Sequence, residues 1–157
     1  LDEGKVELEK EEVDLYQLAR EVCSRLAPQA NARDIRIEVT GEAVTYKGIR
    51  QILDELVYNI CENAIKYNKE GGTLSVWVGS TLKGKKIIVT DTGIGIPEQH
   101  QGTIFKRFYR EDAVHDVDGI GIGLYLAREF ISLQGGYIRV ASEVGKGSTF
   151  SVFLLRK

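Results

Sequence analysis

The chain has 157 residues, which fits one domain and is enough to bury a core without disulfide bonds. Hydrophobic residues make up 43% and charged residues 28%, an ordinary globular composition that argues against disorder. With 21 Lys and Arg against 23 Asp and Glu, the net charge is −2, so the basic excess usual for nucleic-acid-binding proteins is missing. Apolar runs are shorter than the ~18 residues of a membrane span, and we expect no membrane insertion of this chain.

The sequence begins with Leu1 and contains no methionine, so we expect it to be part of a longer protein. Its two cysteines, Cys23 and Cys61, lack the spacing of a disulfide scaffold or a zinc site. We predict two buried free thiols in a reducing compartment, which favours the cytoplasm.

The spacing of apolar residues predicts strands and helices in alternation. Asp14 is a suitable N-cap for a helix that begins at Leu15, and Pro28 either kinks or ends that helix. The other predicted elements are strands at 5–13, 35–40 and 43–46, a helix at 48–67, a hairpin at 73–82 and 86–90, a helix at 121–133, and strands at 137–141 and 149–155.

These elements predict a single α/β (α+β) domain over residues 1–157. Since most strands are joined as hairpins, we expect a mixed, mostly antiparallel sheet of about five strands. Three amphipathic helices covering one face would make a two-layer sandwich. Residues 91–119 have no sustained periodicity beyond a possible short helix at 98–107, and long loops of this kind are usually functional or mobile.

Four polar side chains share one edge of the predicted helix at 48–67. Asn59, Asn63, Lys66 and Tyr67 follow one another at i, i+3 and i+4 spacing beside the apolar stripe. A single Asn there would most simply bond a neighbouring loop. Four aligned polar residues next to a core favour a polar cleft.

Two glycine motifs lie at element ends. DTGIGIP at 91–97 follows a strand, where Gly93 and Gly95 permit positive φ and a close approach of the backbone to a ligand. GIGIGL at 119–124 opens the last helix, whose free N–H groups attract phosphate. The GxGxxG and P-loop patterns are absent.

Five stretches in order give the chain a clear resemblance to a known family. NICENAIKYN (59–68), DTGIGIP, IFKRFYR (104–110), GIGIGL and GKGSTF (145–150) resemble the N, G1, F and G2 boxes and the last glycine turn of sensor histidine kinases. The chain is therefore similar to the catalytic and ATP-binding domain of those kinases, in the superfamily that includes gyrase, Hsp90 and MutL (the Bergerat fold). That resemblance implies ATP and Mg²⁺ as ligands.

The resemblance also implies roles for the polar helix edge. Asn63 would give its amide oxygen to Mg²⁺, a cation that prefers oxygen ligands. Asn59 would lie near the phosphates or a metal-bound water, and Lys66 would neutralise phosphate charge. Tyr67 would line the nucleotide. Asn59, Lys66 and Arg110, the last on the lid at 98–118, would act in catalysis, with Arg110 at the γ-phosphate.

The remaining implied contacts lie in the glycine motifs and the last strand. Asp91 would accept a hydrogen bond from the adenine amino group, and Thr149 would reach the same pocket through a water. Further nucleotide-binding residues implied by the resemblance are Gly93, Ile94, Gly95, Ile96, Gly119, Gly121, Ile122, Gly123 and Leu124.

The resemblance implies partners as well. The acceptor histidine would lie on a separate helical-hairpin dimerisation domain, to which residues 1–5 resemble the junction. His100 and His115 fall in the lid, so neither is expected to be the acceptor. The parent would be a homodimeric, membrane-bound sensor that passes phosphate to a response regulator, with this domain in the cytoplasm.

Two alternatives stay open from the sequence. An anti-sigma-factor serine kinase shares the nucleotide fold, although the F box and the junction-like N-terminus favour the histidine kinase. A nucleotide-binding module without catalysis is the other, and the presence of Asn63, Lys66 and the G2 glycines argues against it.

Overall fold

The computed structural model describes residues 9–101, 104 and 120–155. Within these ranges the strands and helices follow in the order β1 (Glu11–Asp14), α1 (Leu15–Ala32), β2 (Arg36–Gly41), β3 (Thr45–Gly48), α2 (Arg50–Lys66), β4 (Thr73–Thr81), β5 (Gly84–Asp91), α3 (Ile120–Leu133), β6 (Gly136–Glu143) and β7 (Gly147–Leu155). A short 3₁₀ turn, Glu98–His100, follows β5. A short helix is predicted at 98–107, and among its described residues the structure has this turn.

The main sheet has five strands in the order β2-β4-β5-β7-β6. β2 pairs with β4 in parallel, and the other three pairs are antiparallel. β1 and β3 form a separate antiparallel pair. The predicted mixed, mostly antiparallel sheet with three helices is therefore confirmed.

The core lies between the helices and one face of the sheet. Alternate residues of β4 are buried, namely Leu74, Val76 and Val78, while the residues between them are half-buried. This period of two places one side chain set against the helices and the other on the opposite face. α1 and α2 contribute their apolar stripes to the same cluster, and α3 packs against α2.

α1 begins and ends as local chemistry dictates. The Asp14 carboxylate accepts the Gln17 N–H at 2.9 Å, which confirms the predicted N-cap. Pro28 lies inside the helix, which continues to Ala32. At the C-terminus Asp34 has a φ of 57°, and the Ile35 N–H donates to the Ala30 carbonyl at 2.8 Å, the pattern of a Schellman motif.

Cys23 and Cys61 are buried free thiols, as predicted. They face each other between α1 and α2, where the Cys61 thiol donates a hydrogen bond to Cys23, and this bond together with burial raises the pKa of the Cys61 thiol. Both helices bury these small side chains in the core.

Among the residues that the structure describes, no helix is both long enough and apolar enough to cross a membrane.

Candidate functional site

The polar edge of α2 lies within the buried part of the helix. Asn63 is only 8% exposed, and its side-chain amide makes no hydrogen bond to any described residue. One turn earlier, the Asn59 Nδ2 donor is buried and also lacks a partner in the described part of the chain. A buried amide without a partner costs about 1–3 kcal/mol. The unpartnered Asn59 donor and the buried Asn63 side chain lie one turn apart on α2 and therefore form a polar surface that suits a polar ligand.

Asp91 ends β5 and is also 8% exposed. Its Oδ1 accepts the N–H of Gly93 at 2.8 Å and the N–H of Ser148 at 3.3 Å. Burial raises the pKa of the carboxyl to about 6, and the two backbone hydrogen bonds lower it only partly. The described residues offer no donor to Oδ2, which leaves that oxygen as an acceptor for a ligand.

The turn after Asp91 is joined directly to the end of α2. The Ile94 N–H donates to the Tyr67 carbonyl at 3.1 Å. A Cβ added to Gly93 would lie 2.2 Å from that carbonyl oxygen, so only glycine fits there. This contact places the turn that follows Asp91 against the C-terminal end of α2, one helical turn beyond Asn63. The region between them is the candidate cleft.

The structure corrects the expected role of the two glycines in this turn. Gly93 does not have a positive φ, and its close approach is to the chain at Tyr67 rather than to open space. Gly95 does have a φ of 78°, but an added Cβ would lie 2.2 Å from the Glu143 carbonyl oxygen. Both glycines thus allow chain segments to pack closely and shape the cleft from behind.

Thr149 does not point into this pocket, and the prediction that it reaches the base is wrong. Asp91 pairs with Ser148, and Thr90 pairs with Thr149. Because neighbouring residues of a strand face opposite sides, Thr149 lies on the far face, where its hydroxyl contacts that of Thr90 at 3.5 Å. Ser148 is the buried hydroxyl on the side of Asp91.

A second set of hydrogen bonds holds the segment after the turn. The Ile96 N–H donates to Ser142 Oγ at 2.7 Å, and that hydroxyl lies 2.7 Å from the hydroxyl of Ser148. The Gln101 side-chain amide donates to the carbonyls of Ile96 and Ser142 at 2.9 and 3.0 Å. Exposed Ile94 is fixed through its carbonyl, which accepts the Gly145 N–H at 2.9 Å. The floor of the cleft is therefore tied to β6 and β7.

Sequence reasoning missed Arg33, which holds the C-terminal end of α2. Its guanidinium donates to the carbonyls of Ile65 (2.5 Å), Lys66 (2.7 Å) and Asn68 (2.5 Å). The last carbonyls of a helix have no partner within it, and a cation there also complements the helix dipole. The Schellman turn of α1 places Arg33 at this position, and no local sequence pattern signals such a contact.

Asn68 completes this clamp from inside. It is buried, its Nδ2 donates to the Thr73 carbonyl at 2.8 Å, and its Oδ1 accepts from the Lys69 N–H and the Thr92 hydroxyl. The Thr92 hydroxyl in turn accepts the Thr73 N–H at 2.9 Å. α2, β4 and the turn after β5 are thus locked together behind the cleft.

Arg33→Ala should lower the free energy of unfolding by about 2–3 kcal/mol, because it leaves backbone carbonyls at the α2 terminus without donors. Arg33→Lys keeps the charge but not the planar fork, so its loss should be intermediate. Arg36→Ala, at an exposed position on β2, is the matched control and should change little. Urea unfolding checks the order, and equal midpoints for all three variants would contradict the clamp.

Several predicted site residues lie outside the described part of the chain. Arg110 and Gly119 are among them, as is the lid at 98–118 apart from residues 98–101 and 104. Gly121, Ile122 and Gly123 belong to the first turn of α3, and their burial and contacts lie outside the description too. Leu124 is buried in the core. Half-buried Lys66 and Tyr67 lie at the end of α2 beside the turn after β5.

The two-layer sandwich, with a buried carboxyl next to the polar C-terminal end of α2, fits a nucleotide-binding class of domain. The family model described as "Histidine kinase-, DNA gyrase B-, and HSP90-like ATPase" matches residues 48–157. The chain belongs to this family. The predicted resemblance to the sensor histidine kinase ATP-binding domain is therefore confirmed.

Curated relatives and solved structures that resemble this chain are also named as sensor or histidine kinases. The circadian input-output histidine kinase CikA of Synechococcus elongatus is 31% identical over 164 residues, which cover 98% of this chain and 21% of that protein. Sensor protein kinase PmrB of Pseudomonas aeruginosa is 35% identical over 143 residues, 90% of this chain and 30% of PmrB. The solved structure of the mycobacterial sensor histidine kinase MprB superposes with a TM-score of 0.82 at 27% identity, over 93% of this chain and 97% of the solved chain. The chain thus spans less than a third of the length of CikA and of PmrB.

Proposed function

We propose that this chain binds ATP with Mg²⁺ and transfers the γ-phosphate to a histidine on a separate helical-hairpin domain. The observation that carries the proposal is the pair of amide side chains on one face of α2: the Asn59 Nδ2 is buried without a partner in the described part of the chain, and Asn63 is only 8% exposed. Such unsatisfied groups fit a polar ligand with oxygen-coordinated metal. Membership of an ATPase family supplies the identity of that ligand.

The residues divide the work by their chemistry. In phosphoryl transfer, positioning and charge neutralisation provide most of the catalysis. Asn63 offers an amide oxygen to Mg²⁺, and Asn59 offers its buried Nδ2 donor to the phosphates or to a metal-bound water. Lys66 neutralises phosphate charge at the end of α2, and Arg110 does so from the lid.

The base end of the cleft follows from Asp91. Its Oδ2 accepts from the adenine amino group, while Ser148 takes the place first given to Thr149. Tyr67, Gly93, Ile94, Gly95 and Ile96 form the wall, and the G2 segment at Gly119, Gly121, Ile122, Gly123 and Leu124 presents backbone N–H groups to the phosphates.

The partners are proposals that follow from the relatives. We place this domain in the cytoplasm as part of a homodimeric membrane sensor, as the family resemblance implies, and PmrB is named as a sensor protein kinase. The helical-hairpin domain of the same receptor would supply the acceptor histidine, and a response regulator would take the phosphate from it.

Incubation with γ-labelled ATP, Mg²⁺ and a supplied helical-hairpin domain tests the transfer. Label should appear on the hairpin domain, be lost in acid and survive alkali, as phosphohistidine does. The same hairpin domain with its histidine replaced by Ala is the control. An acid-stable product would instead indicate a serine kinase, and tight ATP binding without transfer would indicate a binding module. The chain incubated alone should take up almost no phosphate.

A further inference from the structure

The turn between β4 and β5 carries the most exposed large apolar side chain of the described residues. Leu82 is 95% exposed at the tip of this hairpin. Its neighbour Lys83 is also exposed, and the turn itself is held from within by hydrogen bonds to the Thr81 hydroxyl from the N–H groups of Lys83 and Gly84. The folded chain thus presents an aliphatic group on a firm, protruding turn.

Lys86 and Arg139 lie near this tip on the sheet face that the helices do not cover, whereas Lys85 extends to the opposite face, where its Nζ donates to the Ser80 hydroxyl at 3.4 Å. The Lys86 Nζ lies 4.9 Å from the centre of the Phe153 ring, and the Arg139 guanidinium lies 5.3 Å from the Tyr137 ring. The two rings are stacked with their centres 4.6 Å apart. These cation–π contacts hold the charges at the surface beside Tyr137, which is 37% exposed.

A recess of about 340 Å³ lies between the turn and the rings. Its lining residues are Thr81, Leu82, Lys83, Gly84, Lys85, Tyr137, Phe153, Leu154 and Leu155. The charged side chains of this lining are both lysines, although the whole chain has a net charge of −2. The recess therefore suits an anionic group next to apolar atoms.

This region is remote from the nucleotide cleft. β5 runs from Gly84 at the turn to Asp91 at the cleft, and a strand of that length spans about 23 Å at roughly 3.3 Å per residue. A ligand bound at the turn therefore cannot contact the residues of the nucleotide cleft at the other end of β5. The exposed leucine and its cations are left without a role in ATP binding.

We propose that this hairpin patch, defined as Leu82, Lys83, Lys85, Lys86 and Tyr137, docks on an anionic lipid surface. Leu82 inserts below the headgroups, the lysines bind lipid phosphates, and Tyr137 lies at the interface, where aromatic rings with a polar tip are favoured. The protruding leucine can enter the bilayer while the recess beside it receives a lipid phosphate, so one anionic lipid surface accounts for both features. The positive charge complements the negative surface potential of such a bilayer.

Flotation with lipid vesicles tests the proposal on the chain as it is. The protein should bind vesicles of equal phosphatidylcholine and phosphatidylglycerol, bind phosphatidylcholine alone much more weakly, and dissociate as salt rises. Lys83→Glu with Lys85→Glu should weaken binding at least on the order of 10-fold, since each cation near an anionic surface contributes about fivefold. No binding of the parent chain to the anionic vesicles at low salt would overturn the proposal.

Matched variants separate the patch from overall charge. Lys10→Glu with Lys47→Glu changes the net charge equally at exposed positions of the β1–β3 region and should leave most binding intact. Equal losses in the two double variants would overturn a local patch. Because every substituted side chain except half-buried Lys85 is exposed, thermal melting of each variant should match that of the parent chain.

Leu82 provides the second comparison. Leu82→Ser should weaken vesicle binding about tenfold, whereas Leu133→Ser, which replaces a leucine that is 68% exposed at the end of α3, should not. Unchanged binding of Leu82→Ser would overturn insertion. A poly-glutamate peptide that binds the patch while vesicles do not would overturn the lipid and indicate an acidic protein. ATP binding is not involved in any of these readouts.

Discussion

Asn63→Ala should reduce phosphate transfer to a supplied acceptor domain by at least on the order of 10²-fold while leaving the fold intact. Loss of one preorganised electrostatic contact has this size in many enzymes. The fold should survive because the Asn63 amide bonds no described residue, and replacing an unpartnered buried amide by a methyl group does not leave another polar group unpaired. Initial rates of transfer at saturating ATP and Mg²⁺, together with thermal melting, measure both effects.

Asn68→Ala is the matched control for that experiment, since it removes a second buried asparagine near the same helix end. Asn68 donates to the Thr73 carbonyl and accepts from two groups, including the Thr92 hydroxyl, so its loss should destabilise the fold by about 1–3 kcal/mol. Asn63→Ala should thus lose phosphate transfer but keep its stability, whereas Asn68→Ala should lose stability. If Asn63→Ala melted like Asn68→Ala and transferred phosphate at the parental rate, Asn63 would be structural and its proposed metal role would be wrong.

The fold could be predicted from the sequence because the apolar periods are long and regular. β4 alternates through Leu74, Val76 and Val78, and a strand half covered by helices requires that alternation. Asp14 marked the start of α1 by a local hydrogen bond, which sequence spacing reveals directly. Pro28 left two possibilities, and burial of the helix on both sides of it decided for continuation.

The site was less predictable because strand register is not a local property. Thr149 and Ser148 are neighbours with similar side chains, and only the pairing of Ser148 with Asp91 shows which one shares the pocket. Arg33 lies more than 30 residues from the carbonyls that it binds, and these are backbone groups with no sequence signature. Tertiary contacts of this kind follow from the assembled fold.

Asp91→Asn should weaken ATP binding on the order of 10²-fold and, without nucleotide, make the protein more stable at pH 8. Burial raises the pKa of the folded carboxyl to about 6, against about 3.9 in an unfolded chain. Between these values the native state binds the proton more tightly, so the free energy of unfolding of the parent falls as pH rises from about 4 to 6, then levels off. Asn is neutral throughout and avoids that loss, for a gain of up to about 2–3 kcal/mol at pH 8.

The proposed role of Asp91 requires the ionised carboxyl. In that role Oδ2 accepts a hydrogen bond from the adenine amino group, whereas the amide of Asn would present a donor to a donor. The affinity of the parent for ATP should therefore decline as pH falls below about 6. Urea unfolding and ATP titrations at pH 5 and pH 8 measure both trends. Asp34→Asn is the control, because that exposed residue has a φ of 57°, which Asn adopts equally well, and it should keep the parental pH profile. An Asp91→Asn variant that bound ATP like the parent at both pH values would show that the buried carboxyl does not recognise the base.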